Sequence, residues 1–132
     1  MKLFLDTNVW ASALLTAGLC EELLAKTCAE GMALTSELVW TELAAVLTRK
    51  LRAADSTLGS ARILWQSALC VEEVPVPTDD NDARLVAAAV AAGAKWFVTG
   101  DKRILSWQRS GETRIVCPRD AWVQRFAPHL AL

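Results

Sequence analysis

Lys2-Leu3-Phe4-Leu5-Asp6-Thr7-Asn8-Val9-Trp10 is the stretch that decides how this chain folds. Apolar residues run from Leu3 to Leu5 and stop on an acid, and a polar Thr-Asn pair intervenes before Val9 and Trp10. A brief apolar run ended this way predicts a strand over 2–5 buried on both faces, with a helix start directly behind it. Strands buried on both faces belong to parallel sheets covered by helices. In open α/β sheets, ligands bind beyond the carboxyl ends of the strands. Asp6 therefore stands on the edge where a site forms.

Outward from this strand the chain alternates between helix and strand patterns, without repeats, low-complexity tracts or linkers. A helix over 9–17 ends at Gly18, and a second over 21–30 ends at Gly31, both natural C-terminal stops. A short strand over 32–35 leads to Ser36, an N-cap for a helix over 36–52. A further helix covers 55–67. A weak strand over 71–74 is ended by Pro75 and Pro77. Thr78-Asp79-Asp80-Asn81-Asp82 then opens an alanine-rich helix over 83–92. A strand over 95–99 runs into Gly100-Asp101, followed by a helix over 102–108, a last strand over 114–117 and a terminal helix opened by Pro118. This alternation predicts one α/β domain over 1–132, with a central parallel sheet of about five strands flanked by helices.

The totals agree with one domain. With 132 residues, 53% of them hydrophobic, the chain buries a core without staples; domains of this size bury roughly two-thirds of their unfolded surface. The longest apolar run, 85–94, falls short of the about 20 residues a membrane span needs. Asp6 cuts off the apolar run before it, so no signal-peptide core forms and a cytoplasmic protein with no membrane contact is expected. Cys20, Cys28, Cys70 and Cys117 form no CxxC pair and none adjoins His129, which argues against zinc ribbons and redox motifs. Buried thiols acting as small apolar residues are expected. Net charge is −1, yet residues 1–82 carry six basic against twelve acidic side chains and residues 83–132 eight against three. A fold that joins the two regions makes an acidic pocket with a basic margin.

The acids share a position type. Asp6 ends the first strand, and Asp101 follows the strand over 95–99. Glu42 lies about two turns into the helix after the second strand, and Asp82 in the first turn of the alanine-rich helix. Every strand end and following helix start of a parallel sheet falls on one edge, so these carboxylates converge there. Glu42 sits on the apolar stripe of Val39, Leu43, Val46 and Leu47, where an acid is costly unless paired or bound to a metal. Each acid also has a structural explanation: N-caps for Asp6 and Asp101, helix-dipole partners for Asp79, Asp80 and Asp82, and an arginine pair for Glu42. Clustered carboxylates repel unless a cation neutralises them. Oxygen-only donors suit Mg²⁺ or Mn²⁺ rather than zinc.

At these residues the chain resembles PIN-domain ribonucleases. Phe4-Leu5-Asp6-Thr7-Asn8-Val9-Trp10 is similar to their opening motif, Thr41-Glu42-Leu43 to the internal glutamate, and Asp79-Asp80-Asn81-Asp82 with Leu85 to the third acidic site. Gly93 through Asp101 is similar to the last motif. The resemblance covers residues 2 to about 117, and the nearest subgroup is the toxin component of bacterial toxin–antitoxin pairs, the VapC-like group. It implies a Rossmann-like sheet and a Mg²⁺- or Mn²⁺-dependent endoribonuclease whose acids are Asp6, Glu42, Asp82 and Asp101. Asn8 and Thr99 match supporting positions, and Asp79 competes with Asp82 for the third place. Many relatives carry a further acid where this chain has Arg103.

Neighbouring families fit less well. A haloacid-dehalogenase-like phosphatase needs a second aspartate where Asn8 stands, and no GxxxxGK[ST] phosphate loop is present. A receiver domain lacks its partner acids here. Structure-specific DNA nucleases carry insertions that this chain lacks. The expected reaction is in-line attack of water on an RNA phosphodiester, with Lys102, Arg103 and Arg109 taking flanking phosphates. Trp10 is close enough to Asp6 in sequence to stack a base. The expected partners are RNA, a second copy of the chain in a homodimer, and an antitoxin clamped by the helices over 36–52 and 55–67. The alternative is a catalytically weak module of the same fold that binds nucleic acid or protein.

Overall fold

Leu3–Leu5 forms β1, fully buried along its length. The computed structural model describes residues 1–52 and 54–130; residues 53, 131 and 132 of the expected domain lie outside the described residues. The other strands are β2 (Ala33–Thr35), β3 (Leu69–Cys70), β4 (Trp96–Val98), β5 (Arg109–Ser110) and β6 (Thr113–Val116). They form one six-stranded sheet in the order β3-β2-β1-β4-β6-β5. All neighbours are parallel except the terminal β5–β6 hairpin. Helices α1 (Thr7–Leu15), α2 (Leu19–Ala29), α3 (Glu37–Leu51), α4 (Asp55–Trp65), α5 (Asn81–Ala91), α6 (Lys102–Leu105) and α7 (Pro118–Phe126) flank it.

From β1 the chain builds β2 and β3 on one side, then crosses to place β4 on the other. The crevice between β1 and β4 is thus a topological switch point, the place where open α/β sheets bind ligands. The centre of the sheet is fully buried. Phe4 and Phe97 are register partners on β1 and β4, and their rings stack with centroids 5.5 Å apart and planes 10° from parallel. On α5, Leu85, Val86, Ala88 and Ala89 are buried, and the alanines let the helix lie close to its neighbours.

The structure corrects several sequence expectations. The strand expected over 71–74 lies earlier, at Leu69–Cys70. Its partner β2 ends at Thr35, whose carbonyl takes one last bond from Val71 N–H at 2.8 Å; beyond it there is no strand to pair with. Glu73 turns instead to Leu38 N–H and Arg84. The first helix begins at Thr7 rather than residue 9, because Asp6 already caps it. The helix over 102–108 stops at Leu105, and 109–110 forms β5, a strand too short to show in the sequence pattern. None of the cysteines is fully buried: Cys70 is exposed on the edge strand, and Cys20, Cys28 and Cys117 are half-buried. Trp10 is completely buried beneath α1 and is not available to stack a base.

Candidate active site

The site is built from the two strands at the switch point. Leu5 and Val98 are in register, so the next residues, Asp6 and Thr99, emerge side by side. Asp6 N–H donates to the Val98 carbonyl at 2.9 Å. Thr99 Oγ1 donates to Asp6 Oδ2 at 2.7 Å, and Asn8 Nδ2 donates to the same oxygen at 3.0 Å. Asn8 also donates to Thr99 Oγ1 at 3.1 Å and accepts Gly100 N–H at 3.0 Å. Thr99 Oγ1 accepts Asp101 N–H at 3.0 Å. Asn8 and Thr99 thereby bolt the loop after β1 to the loop after β4.

The capping explanations hold, and they leave the carboxylates on the edge. Asp6 Oδ1 accepts Thr7 N–H at 2.8 Å at the start of α1. Asp101 Oδ1 accepts the N–H groups of Arg103 and Ile104 at the start of α6. Glu42 reaches in from α3; Thr7 Oγ1 donates to its Oε1 at 2.6 Å and Asn81 Nδ2 to its Oε2 at 3.3 Å. Its partners are therefore neutral donors, not the arginine that a buried ion pair requires. Asp82 stands in the first turn of α5, whose N-cap is Asp80. Asp82 Oδ2 accepts from Arg103 Nη1 at 2.9 Å, while Nη2 of the same guanidinium binds Asp80.

Asp6, Glu42, Asp82 and Asp101 line one open cavity of about 680 Å³. Ala45, Val46, Arg49 and Lys50 of α3 line it too. Asp79 is exposed and is not part of the lining, and neither are Lys102 and Arg109. Arg103, expected to face substrate phosphates, is engaged with acids. The basic margin at the cavity is Arg49 and Lys50, which the sequence reading missed. Their signal was present: Glu42, Ala45, Val46 and Arg49 recur at helical spacing and so share a face. Thr7 and Asn81, which hold Glu42, were missed as well.

Burial pushes the Asp6 carboxyl up to about 6; the hydrogen bonds from Thr99 and Thr7 oppose this, and the charges of Asp82 and Glu42 add to it. Asp82 is raised by burial and then by Asp80 and Asp101, with Arg103 pulling the other way. Asp80 is lowered, chiefly by its hydrogen bond to Arg103. Burial is thus the main reason Asp6 resists ionisation, and the neighbouring acids add to it. The cavity's donors are carboxylate oxygens without histidine or cysteine, a set that fits a hard divalent cation. Among the described residues, no three such side chains already close around one point as a finished metal cage.

A mostly parallel α/β sheet with four acids converging at its switch point defines an acid-site domain of the Rossmann-like kind. Residues 2–103 match the PIN domain family, and the chain belongs to it. PIN domains are generally nucleases that need a divalent metal ion. The fold is similar to that in the crystal structure of PAE2754 from Pyrobaculum aerophilum, with 15% identity, 94% of each chain covered and a TM-score of 0.67. No curated protein sequence matches this chain. Among the described residues, no helix is long and apolar enough to cross a membrane.

Proposed function

We propose that this chain is a divalent-metal-dependent endoribonuclease, the toxin of a toxin–antitoxin pair. The observation that carries this proposal is the convergence of Asp6, Glu42, Asp82 and Asp101 on one open cavity with Arg49 and Lys50 at its margin. Asp6, Asp82 and Asp101 would hold a Mg²⁺ or Mn²⁺ ion. When bound, such an ion supplies Lewis-acid stabilisation of charge building on the phosphate and lowers the pKa of water. Glu42, fixed by Thr7 and Asn81, orients the attacking water. Asn8 and Thr99 hold Asp6 in place. Arg49 and Lys50 take phosphates of the RNA strand on either side of the cleaved bond.

Cleavage mapping on total RNA, with and without Mg²⁺, tests the assignment in wild type and Asp101→Asn, a change that keeps the helix cap. Metal-dependent cuts that vanish in the variant are expected; cuts that persist in Asp101→Asn or ignore the metal refute it. The pairing of Arg103 with Asp82 Oδ2 favours one other reading, a catalytically weak module that binds nucleic acid or protein. A Mn²⁺-induced rise in melting temperature separates the two. The antitoxin and homodimer assignments draw on Ile63 and Leu64, exposed on α4, and on the apolar hollow that Leu14, Leu47 and Leu64 share. A monomeric protein that captures nothing encoded beside it overturns both.

A further inference from the structure

Arg103 has no role in the reaction outlined above, yet its side chain is held on several sides. Nη1 donates to Asp82 Oδ2 at 2.9 Å and Nη2 to Asp80 Oδ2. The guanidinium carbon lies 5.1 Å from the centre of the Trp107 ring, within the range of a cation–π contact. Its backbone N–H donates to Asp101 Oδ1 at 2.8 Å. One residue thus touches three acids of this edge.

The fork is not needed to finish the helix ends. The cap of α5 uses Asp80 Oδ1, which accepts Asp82 N–H, and the cap of α6 uses Asp101 Oδ1. Arg103 takes the opposite oxygen of Asp80, Oδ2, and Oδ2 of Asp82. A guanidinium keeps its charge at any pH at which proteins function. A carboxylate oxygen that accepts a charge-assisted bond is a weaker ligand for a metal ion, and the fixed charge repels a divalent cation drawn to Asp82.

We propose that Arg103 is a resident counter-cation for the Asp80–Asp82 arm of the site, a positioning residue that competes with the divalent ion for Asp82 and so sets how tightly the cavity binds metal. This rests on the reading of the cavity as a divalent-ion site. Full use of Asp82 Oδ2 by a metal then requires the fork to open, and Trp107 is the surface on which the guanidinium stays parked. With its side chain 56% exposed, Arg103 contributes little to stability as an ion pair, so its removal acts on metal binding rather than on folding.

The test is calorimetric titration of Mn²⁺ into metal-free full-length protein, comparing wild type, Arg103→Gln and Lys102→Gln. Lys102→Gln removes the same charge one residue away, outside the fork. Arg103→Gln is expected to tighten Mn²⁺ binding about fivefold, and to enlarge the Mn²⁺-induced rise in melting temperature. Lys102→Gln is expected to change affinity less than about twofold, because an exposed charge at a distance is screened. Equal or weaker binding in Arg103→Gln overturns the proposal, and so does an equal gain in Lys102→Gln, which would mean that net charge alone matters. If Arg103→Gln does not fold, Arg103→Lys keeps the charge without the two-pronged contact and is expected to tighten binding about twofold; no change there also overturns it. If wild type and variants alike bind no Mn²⁺, the metal-site reading itself fails and takes the proposal with it. Binding that is present but indifferent to residue 103 defeats the proposal and leaves the metal site standing.

Discussion

Replacing Asp6 with asparagine is expected to stabilise the metal-free protein at neutral pH while abolishing the proposed RNA cleavage. Asp6 is 3% exposed, and burial moves its carboxyl from an ordinary value of 3.8 up to about 6. The folded chain therefore holds this proton more tightly than the unfolded chain does. The stability that Asp6 contributes is full below about pH 4 and is lost as the pH rises through about 6. That difference corresponds to about 3 kcal/mol of stability given up when the side chain ionises. Because the bonds from Thr99 and Thr7 are already reflected in the shift, the neutral acid is the right comparator for asparagine. Asparagine brings one extra donor toward Asn8 Nδ2, which now donates to Asp6 Oδ2, at a cost of about 1 kcal/mol. A net gain of about 2 kcal/mol remains at pH 7.5, or roughly 5–10 °C in melting temperature. The assay is thermal unfolding followed by circular dichroism in EDTA, in steps from pH 4 to pH 8. Relative to wild type, Asp6→Asn is expected to be about 1 kcal/mol less stable near pH 4, to gain between pH 4 and pH 6, and to level off above pH 6. Added Mn²⁺ is expected to raise the wild type and not the variant. An advantage that does not change with pH, or a variant less stable than wild type at pH 7.5 in EDTA, would show that Asp6 is not a strained carboxylate.

Three further outcomes follow from the same geometry. Thr99→Val removes the hydroxyl that donates to Asp6 and accepts from Asn8 and Asp101; a loss of about 1–3 kcal/mol in urea unfolding is expected, with the Asp6-linked pH dependence moved to higher pH. Phe97→Ala empties the stack with Phe4 at the sheet centre and is expected to cost about 3–5 kcal/mol in the same assay. Arg49→Gln with Lys50→Gln is expected to weaken RNA binding by fluorescence anisotropy and to flatten its salt dependence by about one to two log units per log salt, leaving Mn²⁺ affinity little changed; an unaltered salt slope would remove these residues from the RNA path.

The edge on which the site forms was legible in the sequence because it follows from chain topology. An apolar run such as Leu3–Leu5 with a helix start directly behind it fits a strand of a covered parallel sheet, and the residue after it then surfaces on the carboxyl edge. The same rule carried Asp101 and Asp82 to that edge, and helical spacing turned Glu42 inward. Local patterns recorded all of this, since each acid was placed by its own strand or helix. The register Leu5–Val98, which puts Asp6 beside Thr99, was not written in either segment alone.

What only the tertiary structure decided is which charges meet. Arg103 looked like a phosphate ligand beside Asp101, but α5 brings Asp80 and Asp82 within its reach, and it pairs with them instead. Arg49 and Lys50 enter the cavity because α3 lies along it, and Trp10 leaves it because the first turns of α1 point that side chain into the core. Sequence periodicity specifies a face, whereas an ion pair or a stacking surface depends on a few ångströms between elements far apart in the chain. Those few ångströms are settled by how the helices pack on the sheet.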